Sequence, residues 1–351
     1  MVRKFIAQRR PTAGLEIRRP RKNQRQEVDV TYTIEEALRI FIQAKEAEGL
    51  RSRTIKDYRQ HISYLSEFLL ENHPDVIDDV NSLTTNHVRE YINYLRNDRR
   101  PYKGAEHRKE IDRSGLAVNT INIRLRTLKT MCRFWYDEVM IETNPMIGVK
   151  PVKDDERKEV EGLADENIGK VFNALDDRQF AEWRDKVLMY LMLDTGLRPE
   201  EALTVRIEQF DFRSMFVLVP SMIAKNRKGR EIPITREVGR MVRDLYEETK
   251  QYFGDPEQVF MNAYGEPFTA GAFRKRLNRM KKRLNLEKLH PNMFRHTFAR
   301  KYLLNGGDIF TLQKILDHAD IATTRKYVQM TNEDVKAQHN KYSPARRFLR
   351  R

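Results

Sequence analysis

Apolar residues recur every three or four positions between residues 34 and 139, a spacing that places them on one face of each of four helices. The first helix is expected to begin after Thr33, because Thr33 and Glu36 form a capping-box pattern. The four apolar series are Ile34, Ala37, Leu38 and Phe41; Ile55, Tyr58, Ile62, Leu65 and Leu69; Val88, Tyr91, Ile92 and Leu95; and Val118, Ile121, Leu125, Leu128, Cys132, Trp135 and Val139. Such helices predict a small helical domain.

Breaks in this pattern divide the chain. The charged stretch 99–113 predicts an exposed loop between the third and fourth helices. Asn144 and Pro145 are expected to stop the fourth helix, and residues 149–161 are almost all polar, which is typical of a linker. The predicted segments are an N-terminal arm at 1–29, a helical domain at 30–146, a linker at 147–162, a second domain at 163–335 and a C-terminal tail at 336–351.

The second domain mixes helix and strand signals. Helices are expected at about 165–175 and 183–193, and helical patterns dominate again from residue 238. Two short apolar runs, 215–220 and 230–235, flank a basic stretch and predict a β-hairpin. The expected fold is mainly α with a small β-sheet in the C-terminal domain: a four-helix domain followed by a mixed α/β domain.

Composition narrows the function classes. The chain has 66 Lys and Arg against 51 Asp and Glu, a formal charge of +15, which indicates a polyanionic partner such as nucleic acid. The apolar runs are far shorter than the roughly 20 residues of a membrane helix, and no secretory pattern follows the basic start. Cys132, the single cysteine, lies in an apolar stripe and is interpreted as a core residue. A disulfide framework and a cysteine-cluster metal site are therefore excluded, and a soluble cytoplasmic protein is expected.

The arm at 1–29 carries nine Lys or Arg against three acidic residues. A segment with few apolar residues and no sustained period is expected to be flexible. It fits either a solvated tail or an arm that contacts the DNA backbone.

Two segments in the first half of the second domain carry candidate chemistry. Arg198 lies between Gly196, where the buried helix is expected to end, and Pro199, where the next one begins. Arg198 is thus near a helix N-terminus, which favours anions. On its own it also fits a surface arginine paired with Glu201. Lys225 lies with three more cations in the predicted hairpin turn, which fits a solvated turn or a contact with a polyanion.

Two further segments lie closer to the C-terminus. In a helix opened by a proline, Asn292 and Arg295 fall on one face at i, i+3, while two phenylalanines turn to the core. His296 is interpreted as a hydrogen-bonded structural histidine. Tyr327 follows His318 by nine residues, and a single tyrosine is usually an amphipathic packing residue.

Taken in order, the four segments resemble the tyrosine recombinase (phage integrase) family. They run from an arginine through a lysine in a hairpin and an Arg-His pair to Leu-x-His, followed by Thr-Thr-x-x-Tyr. Arg295 precedes His318 by 23 residues, a spacing similar to that of the family. The helical domain and linker resemble the family's core-binding domain, so the resemblance covers about residues 30–345.

The resemblance implies an enzyme that cuts DNA by attack of a tyrosine on the scissile phosphate, leaving a 3′-phosphotyrosyl bond and a free 5′-hydroxyl. Because the ester retains the energy of the broken bond, neither ATP nor another cofactor is expected, and no metal. Tyr327 matches the nucleophile. Arg198 and Arg295 match the arginines that clamp the non-bridging oxygens, a task suited to the guanidinium fork.

The remaining matches are supporting groups. Lys225 matches the lysine that protonates the departing oxygen, although Arg227 and Lys228 remain alternatives. His318 matches the residue that donates a hydrogen bond to the phosphate. Glu201 matches an acidic residue that orients its neighbours.

Two positions depart from the family pattern. Asn292 stands where histidine is most common, and an amide can donate a hydrogen bond but cannot accept a proton at neutral pH. His290 is a candidate substitute for a proton acceptor. Asp317 stands where glycine commonly precedes the histidine, and its carboxylate is expected to favour the protonated form of His318.

The resemblance further implies two double-stranded DNA sites held by a homotetramer, with no membrane association and with localisation at the bacterial nucleoid when DNA is bound. An accessory DNA-bending protein is a further possible partner. The tail at 336–351 fits either a helix exchanged between protomers or a disordered basic end.

We expect the integrase or transposase of a mobile element, because the arm and the charged loop add to a minimal two-domain chain. The alternatives are a chromosome- or plasmid-resolving recombinase, a type IB topoisomerase-like enzyme and a catalytically impaired DNA-binding protein.

Overall fold

The structure, a computed structural model, describes most of the chain. The described residues are 30–100, 115–154, 161–222, 228–328, 332–345 and 348. The chain divides into two compact units between residues 157 and 158, and each has its own apolar core. The arm at 1–29 lies outside the described residues, as do Lys225 and Arg227 of the hairpin turn.

Four main helices build the N-terminal unit, as their periodicity predicts. They are α1 (Ile34–Ala47), α2 (Ser52–Asn72), α4 (Thr85–Asn97) and α5 (Val118–Asp137), with the short α3 (Asp75–Asp78) and a 3-10 helix (Val80–Ser82) between α2 and α4. The capping box is confirmed: the Glu36 N–H donates to Thr33 Oγ1 at 3.2 Å, and the Thr33 N–H donates to the Glu36 carboxylate at 3.0 Å. Trp135 donates its buried indole N–H to the Ala37 carbonyl at 3.0 Å, which ties α5 to α1. Cys132 is fully buried, which confirms its interpretation as a core residue.

The predicted end of the fourth helix is wrong. α5 ends at Asp137, well before Asn144 and Pro145. The chain leaves the helix through Val139, whose φ is +58°, and the Met140 N–H returns to the carbonyl of Trp135 at 2.8 Å. A left-handed residue followed by a hydrogen bond back into the last turn is a common helix ending. Val139 is consequently 54% exposed and does not belong to the apolar stripe.

The predicted exposed loop after α4 is also wrong at its first residue. Arg99 is buried, because its guanidinium donates to Glu67 at 3.1 Å and lies 5.3 Å from the ring centre of Tyr64. Residues 101–114, the rest of that loop, lie outside the described residues.

The segment that follows α5 stays in contact with the helical unit as far as Val152. The side-chain amide of Asn122 exchanges two hydrogen bonds with the Val152 backbone, both at 2.9 Å. Val149 and Val152 also pack against the helical core. These contacts cover the first part of the segment that composition assigns to a linker.

The C-terminal unit is mostly helical and contains one small antiparallel sheet. Its strands are β1 (Phe210–Asp211), β2 (Phe216–Val219) and β3 (Arg230–Pro233), in the order β1-β2-β3. Its helices are α6 (Asp165–Asn173), α7 (Phe180–Thr195), α8 (Pro199–Leu203), α9 (Arg236–Phe253), α10 (Ala270–Arg283), α11 (Pro291–Leu304), α12 (Ile309–Leu316), α13 (Ile321–Arg325) and α14 (Asn332–Tyr342), with a 3-10 helix (Ile207–Gln209) before β1. The predicted fold class is confirmed, and the predicted hairpin corresponds to β2 and β3. The two-residue strand β1 is too short to give a sequence pattern.

The junction between α7 and α8 is tightly packed. Gly196 ends α7 in the left-handed region, with φ of +64°, and Pro199 opens α8, both as predicted. A Cβ atom on Gly196 would lie 2.4 Å from the Phe298 side chain and 2.8 Å from that of Leu316. Glycine therefore lets this turn approach α11 and α12, which brings Arg198 close to both helices.

Within the described part of the chain, no helix combines the length and the apolar character that a membrane crossing requires.

Candidate active site

Within the described residues, three arginines from separate elements converge on the C-terminal end of α12. Three consecutive backbone carbonyls accept hydrogen bonds there, one from each arginine. The pairs are Arg230 Nε with the Ile315 carbonyl at 3.2 Å, Arg295 Nη2 with the Leu316 carbonyl at 2.7 Å, and Arg198 Nη2 with the Asp317 carbonyl at 3.1 Å. Cations are favoured there, because the last carbonyls of a helix carry its negative partial charge. The arrangement fixes the backbone immediately before His318.

Glu201 holds two of these arginines from the other side. It is buried and accepts Arg198 Nη1 at 2.9 Å and Arg230 Nη2 at 2.7 Å, as well as the backbone N–H of Arg198 at 3.0 Å. Burial alone would raise the pKa of Glu201, but the hydrogen bonds and charges of Arg230 and Arg198 outweigh it and lower the pKa. Glu201 is therefore an ionised carboxylate that orients both guanidinium groups.

Arg295 is the most buried cation of this cluster. It is 5% exposed, and its Nη1 donates to the Gly196 carbonyl at 2.6 Å. Burial, and then the nearby charge of Arg198, lower the pKa of Arg295 to about 10, so the guanidinium still carries its charge at neutral pH. The side chain is held by the carbonyls of α12 and of the turn after α7.

His318 lies between Arg295 and Tyr327. One ring nitrogen, Nε2, is 3.0 Å from Arg295 Nη2, and the other, Nδ1, is 2.9 Å from the hydroxyl of Thr324. Its ring stacks on that of Tyr327, with the centroids 6.2 Å apart and an angle of 11° between the planes. Burial, and then the charges of Arg295 and Arg198, lower the pKa of His318 to about 4. His318 is therefore neutral at physiological pH.

The expectation that Asp317 favours a protonated His318 is thus wrong. The Asp317 carboxylate lies 3.7 Å from Arg198 Nη1 and 3.9 Å from Arg230 Nη1. Its negative charge is engaged by these two cations, so the net field at the imidazole is positive and opposes protonation.

The Tyr327 hydroxyl lies within the same pocket of the same chain. Tyr327 is 6% exposed and packs on the apolar side chains of α11 and α12. Its hydroxyl is 2.9 Å from Nδ1 of His296. Burial raises the pKa of Tyr327, and the charge of Arg295 opposes that effect. Burial also lowers the pKa of His296 to about 4, with help from His290 and Arg295, so a neutral imidazole faces the phenol.

Asn292 and His290 are further from the centre. Asn292 is exposed at the first turn of α11 and forms no hydrogen bond with the pocket residues that the structure describes, whereas Arg295 on the next turn is buried. His290 is also exposed, and its ring centre is 6.4 Å from that of His296. Partial desolvation of the ring, and then the charge of Arg274, lower the pKa of His290. The histidine that contacts the Tyr327 hydroxyl is His296.

Two family models match the chain, one on each compact unit. The model described as the phage integrase family matches residues 161–334, and the model described as the phage integrase N-terminal SAM-like domain matches residues 38–133. The chain belongs to the phage integrase family. It is thus a tyrosine recombinase, an enzyme that cleaves and rejoins DNA strands.

Relatives agree with this assignment, and solved structures share the fold. The recombinase is 26% identical to tyrosine recombinase XerC of Staphylococcus carnosus over 290 residues, which cover 81% of this chain and 88% of the relative. It is 26% identical to XerC of Listeria monocytogenes over 240 residues, or 67% and 79% of the two chains. In fold it is similar to the Tn1549 transposon integrase bound to circular intermediate DNA (TM-score 0.67, 18% identity, 87% and 99% of the chains). It is also similar to a lambda integrase dimer bound to a core site (TM-score 0.62, 16% identity, 84% and 95%).

Two contacts of the recombinase site are not predicted by the sequence. His296 is hydrogen-bonded, as predicted, but its partner is the hydroxyl of Tyr327. Its position directly after Arg295 was the available signal. Arg230 ends the basic hairpin stretch and begins β3, and nothing in that run of cations distinguishes the one that turns inward. Lys228 is exposed just before β3.

The stability of the recombinase is expected to fall as the pH is lowered from about 6.5 to about 4. In that range the unfolded chain binds protons at His296 and His318, whose ordinary pKa is 6.5, while the folded chain, with both pKa values near 4, does not. We expect the Tm of His296→Gln to depend less steeply on pH than that of the wild type. Thermal unfolding at stepped pH values measures both slopes.

His339→Gln is the matched control, because His339 is exposed on α14. It should keep the wild-type slope. Equal slopes in wild type and His296→Gln would contradict a neutral His296.

Proposed function

We propose that this recombinase cuts one DNA strand through Tyr327. The phenol oxygen attacks the scissile phosphorus, the bond to the 5′-oxygen breaks, and a 3′-phosphotyrosyl ester and a free 5′-hydroxyl result. The observation that carries the proposal is the position of Tyr327 in its own chain: its hydroxyl contacts His296, its ring stacks on His318, and His318 contacts Arg295 of the arginine cluster. The phenol proton passes to the neutral His296.

The arginines then act on the phosphate. The transition state is a phosphorane with one more negative charge than the phosphodiester, and preorganised donors stabilise such charge best. Arg198 and Arg295 bind the non-bridging oxygens, and His318 donates a hydrogen bond once its Nε2 carries a proton. Glu201 keeps Arg198 in position. The cations also favour the phenolate form of Tyr327, whose ordinary pKa is about 10.

Three further residues have supporting roles. Lys225, which lies between β2 and β3 in the sequence, protonates the departing 5′-oxygen. Asn292 is exposed at the start of α11, where its amide donates a hydrogen bond to bound DNA. His290, whose ring centre lies 6.4 Å from that of His296, is a second imidazole that can receive the proton.

We further propose that the enzyme is the integrase or transposase of a mobile element. It acts as a homotetramer on two double-stranded DNA sites, with an accessory DNA-bending protein and with the tail at 336–351 exchanged between protomers. It works in the cytoplasm, at the nucleoid. The basic arm at 1–29 and the charged stretch at 99–113 favour this role, since both add DNA-binding charge to a two-domain chain. The likeness of its fold to a transposon integrase is consistent with it.

The second candidate is a resolvase of chromosomes or plasmids. The 26% identity to XerC proteins, over 81% of this chain for the Staphylococcus carnosus relative, favours it.

Mapping the two strand-cleavage positions on DNA that flanks the gene separates these candidates. Cleavage at the ends of an element that contains the gene supports the integrase. Cleavage at one chromosomal site remote from the gene supports the resolvase. Relaxation of supercoils without exchange between two sites would indicate a topoisomerase, and tight binding without a covalent adduct would overturn the enzymatic proposal.

A further inference from the structure

Asp317 introduces a second negative charge into the arginine cluster. It follows α12 in the left-handed region, with φ of 53° and ψ of 52°, and its side chain is 17% exposed. The carboxylate lies within 4 Å of both Arg198 and Arg230, as described above. Its backbone carbonyl accepts a hydrogen bond from Arg198 at 3.1 Å. The same residue therefore positions Arg198 through its backbone and partly neutralises it through its side chain.

The charges of the described pocket can be counted. Arg198, Arg230 and Arg295 are positive, and Glu201 and Asp317 are negative, while the two histidines of the pocket are neutral at physiological pH. Among the described residues, the pocket thus has one excess positive charge, enough to match the single charge of a phosphodiester. The phosphorane carries two negative charges. Without the Asp317 carboxylate the excess positive charge of the arginine cluster would be two, so the cluster would attract the growing negative charge of the phosphorane more strongly.

We propose that Asp317 is a positioning residue whose carboxylate attenuates DNA cleavage: it partly neutralises Arg198 and Arg230, and this weakens the stabilisation of the phosphorane by the arginine cluster. The inference rests on the proposed function of the pocket. Because the carboxylate weakens stabilisation of the second negative charge more than of the first, it slows the chemical step more than it weakens binding of uncleaved DNA.

The substitution Asp317→Asn removes the negative charge and keeps the shape of the side chain. Asparagine has nearly the same size and tolerates the left-handed region at least as well as aspartate. The backbone carbonyl that Arg198 contacts is unchanged. Asp317→Glu keeps the charge on a longer side chain. The control is Asp308→Asn at the opposite end of α12, where Asp308 caps the helix by accepting the Thr311 N–H at 2.7 Å and asparagine is an equally good cap.

The experiment measures single-turnover formation of the covalent adduct on a nicked duplex that carries the mapped recombination site, together with the Kd of the intact duplex. We expect Asp317→Asn to raise the cleavage rate constant about tenfold, the order of effect for removing one partly screened charge a few ångström away. The Kd should change by less than about threefold. Asp308→Asn and Asp317→Glu should stay within about twofold of the wild type in both quantities.

Three results would overturn the inference. An unchanged rate in Asp317→Asn would show that the charge does not matter. A slower rate with an unchanged Tm would show that the carboxylate is needed to orient the arginines. An equal acceleration in Asp317→Glu would exclude charge as the cause. Absence of an adduct with the wild type would instead refute the proposed function itself.

Discussion

Replacement of Tyr327 by phenylalanine is expected to abolish covalent capture of DNA. The substitution removes the attacking oxygen and keeps the ring that stacks on His318 and packs on α11 and α12. Loss of a nucleophile reduces enzymatic rates by about 10⁴-fold or more. Adduct formation on a nicked duplex, resolved on a denaturing gel, should therefore fall below detection, while the Kd for the intact duplex stays within about threefold of the wild type.

Tyr264→Phe is the matched control. Tyr264 belongs to the same unit and is 86% exposed, so its hydroxyl can be removed with little effect on the core. This variant should form the adduct at the wild-type rate. An adduct that persists in Tyr327→Phe would assign the nucleophile to another residue.

Arg295→Lys is expected to slow adduct formation by about 10²- to 10³-fold, the scale for loss of one preorganised donor to a transition-state oxyanion. Lysine keeps the charge but cannot reproduce the planar fork that contacts the Gly196 and Leu316 carbonyls while it faces the phosphate. Binding of the intact duplex should weaken far less, because many other cations contact the backbone. Single-turnover rates and Kd values give the two effects separately.

The lysine variant is preferred to alanine, which would leave two buried carbonyls without donors and endanger folding. Thermal unfolding should show a Tm close to that of the wild type. Arg178→Lys serves as the control, since Arg178 is exposed and pairs with Asp176 in the same unit. If Arg295→Lys cleaves as fast as this control, the bidentate role of Arg295 is wrong.

Local patterns predicted where helices begin and end in this recombinase, wherever a few neighbouring residues determine the helix end. The capping box at Thr33, the left-handed Gly196 and the proline that opens α8 are all present, because each depends on residues only a few positions apart. The early end of α5 was missed because Val139 occupies a left-handed position that glycine normally takes. The burial of Arg99 depends on Glu67, 32 residues earlier, and no periodicity reveals such a partner.

The same distinction between local and distant contacts applies to the residues of the site. Arg198, Glu201, Arg295, His318 and Tyr327 could be found by spacing and are brought together as expected. Arg230 turns inward to Glu201, 29 positions earlier in the chain, and to the carbonyl of Ile315, 85 positions later. Neither contact of Arg230 can be inferred from the sequence. The effect of Asp317 on His318 cannot be predicted from the sequence, because it depends on the two arginines that the carboxylate faces in the folded chain.

We expect Tyr327 to attack within the arginine cluster of its own chain. Mixing Tyr327→Phe with a longer, tagged Arg295→Lys protein on the nicked duplex tests it most directly, because each variant lacks what the other retains. If attack occurs within one chain, no mixed assembly contains a complete site, and the adduct stays at the sum of the two variants measured alone. A rise in adduct on the tagged Arg295→Lys protein upon addition of Tyr327→Phe would show that the tyrosine is donated to a neighbouring pocket, which contradicts attack within one chain.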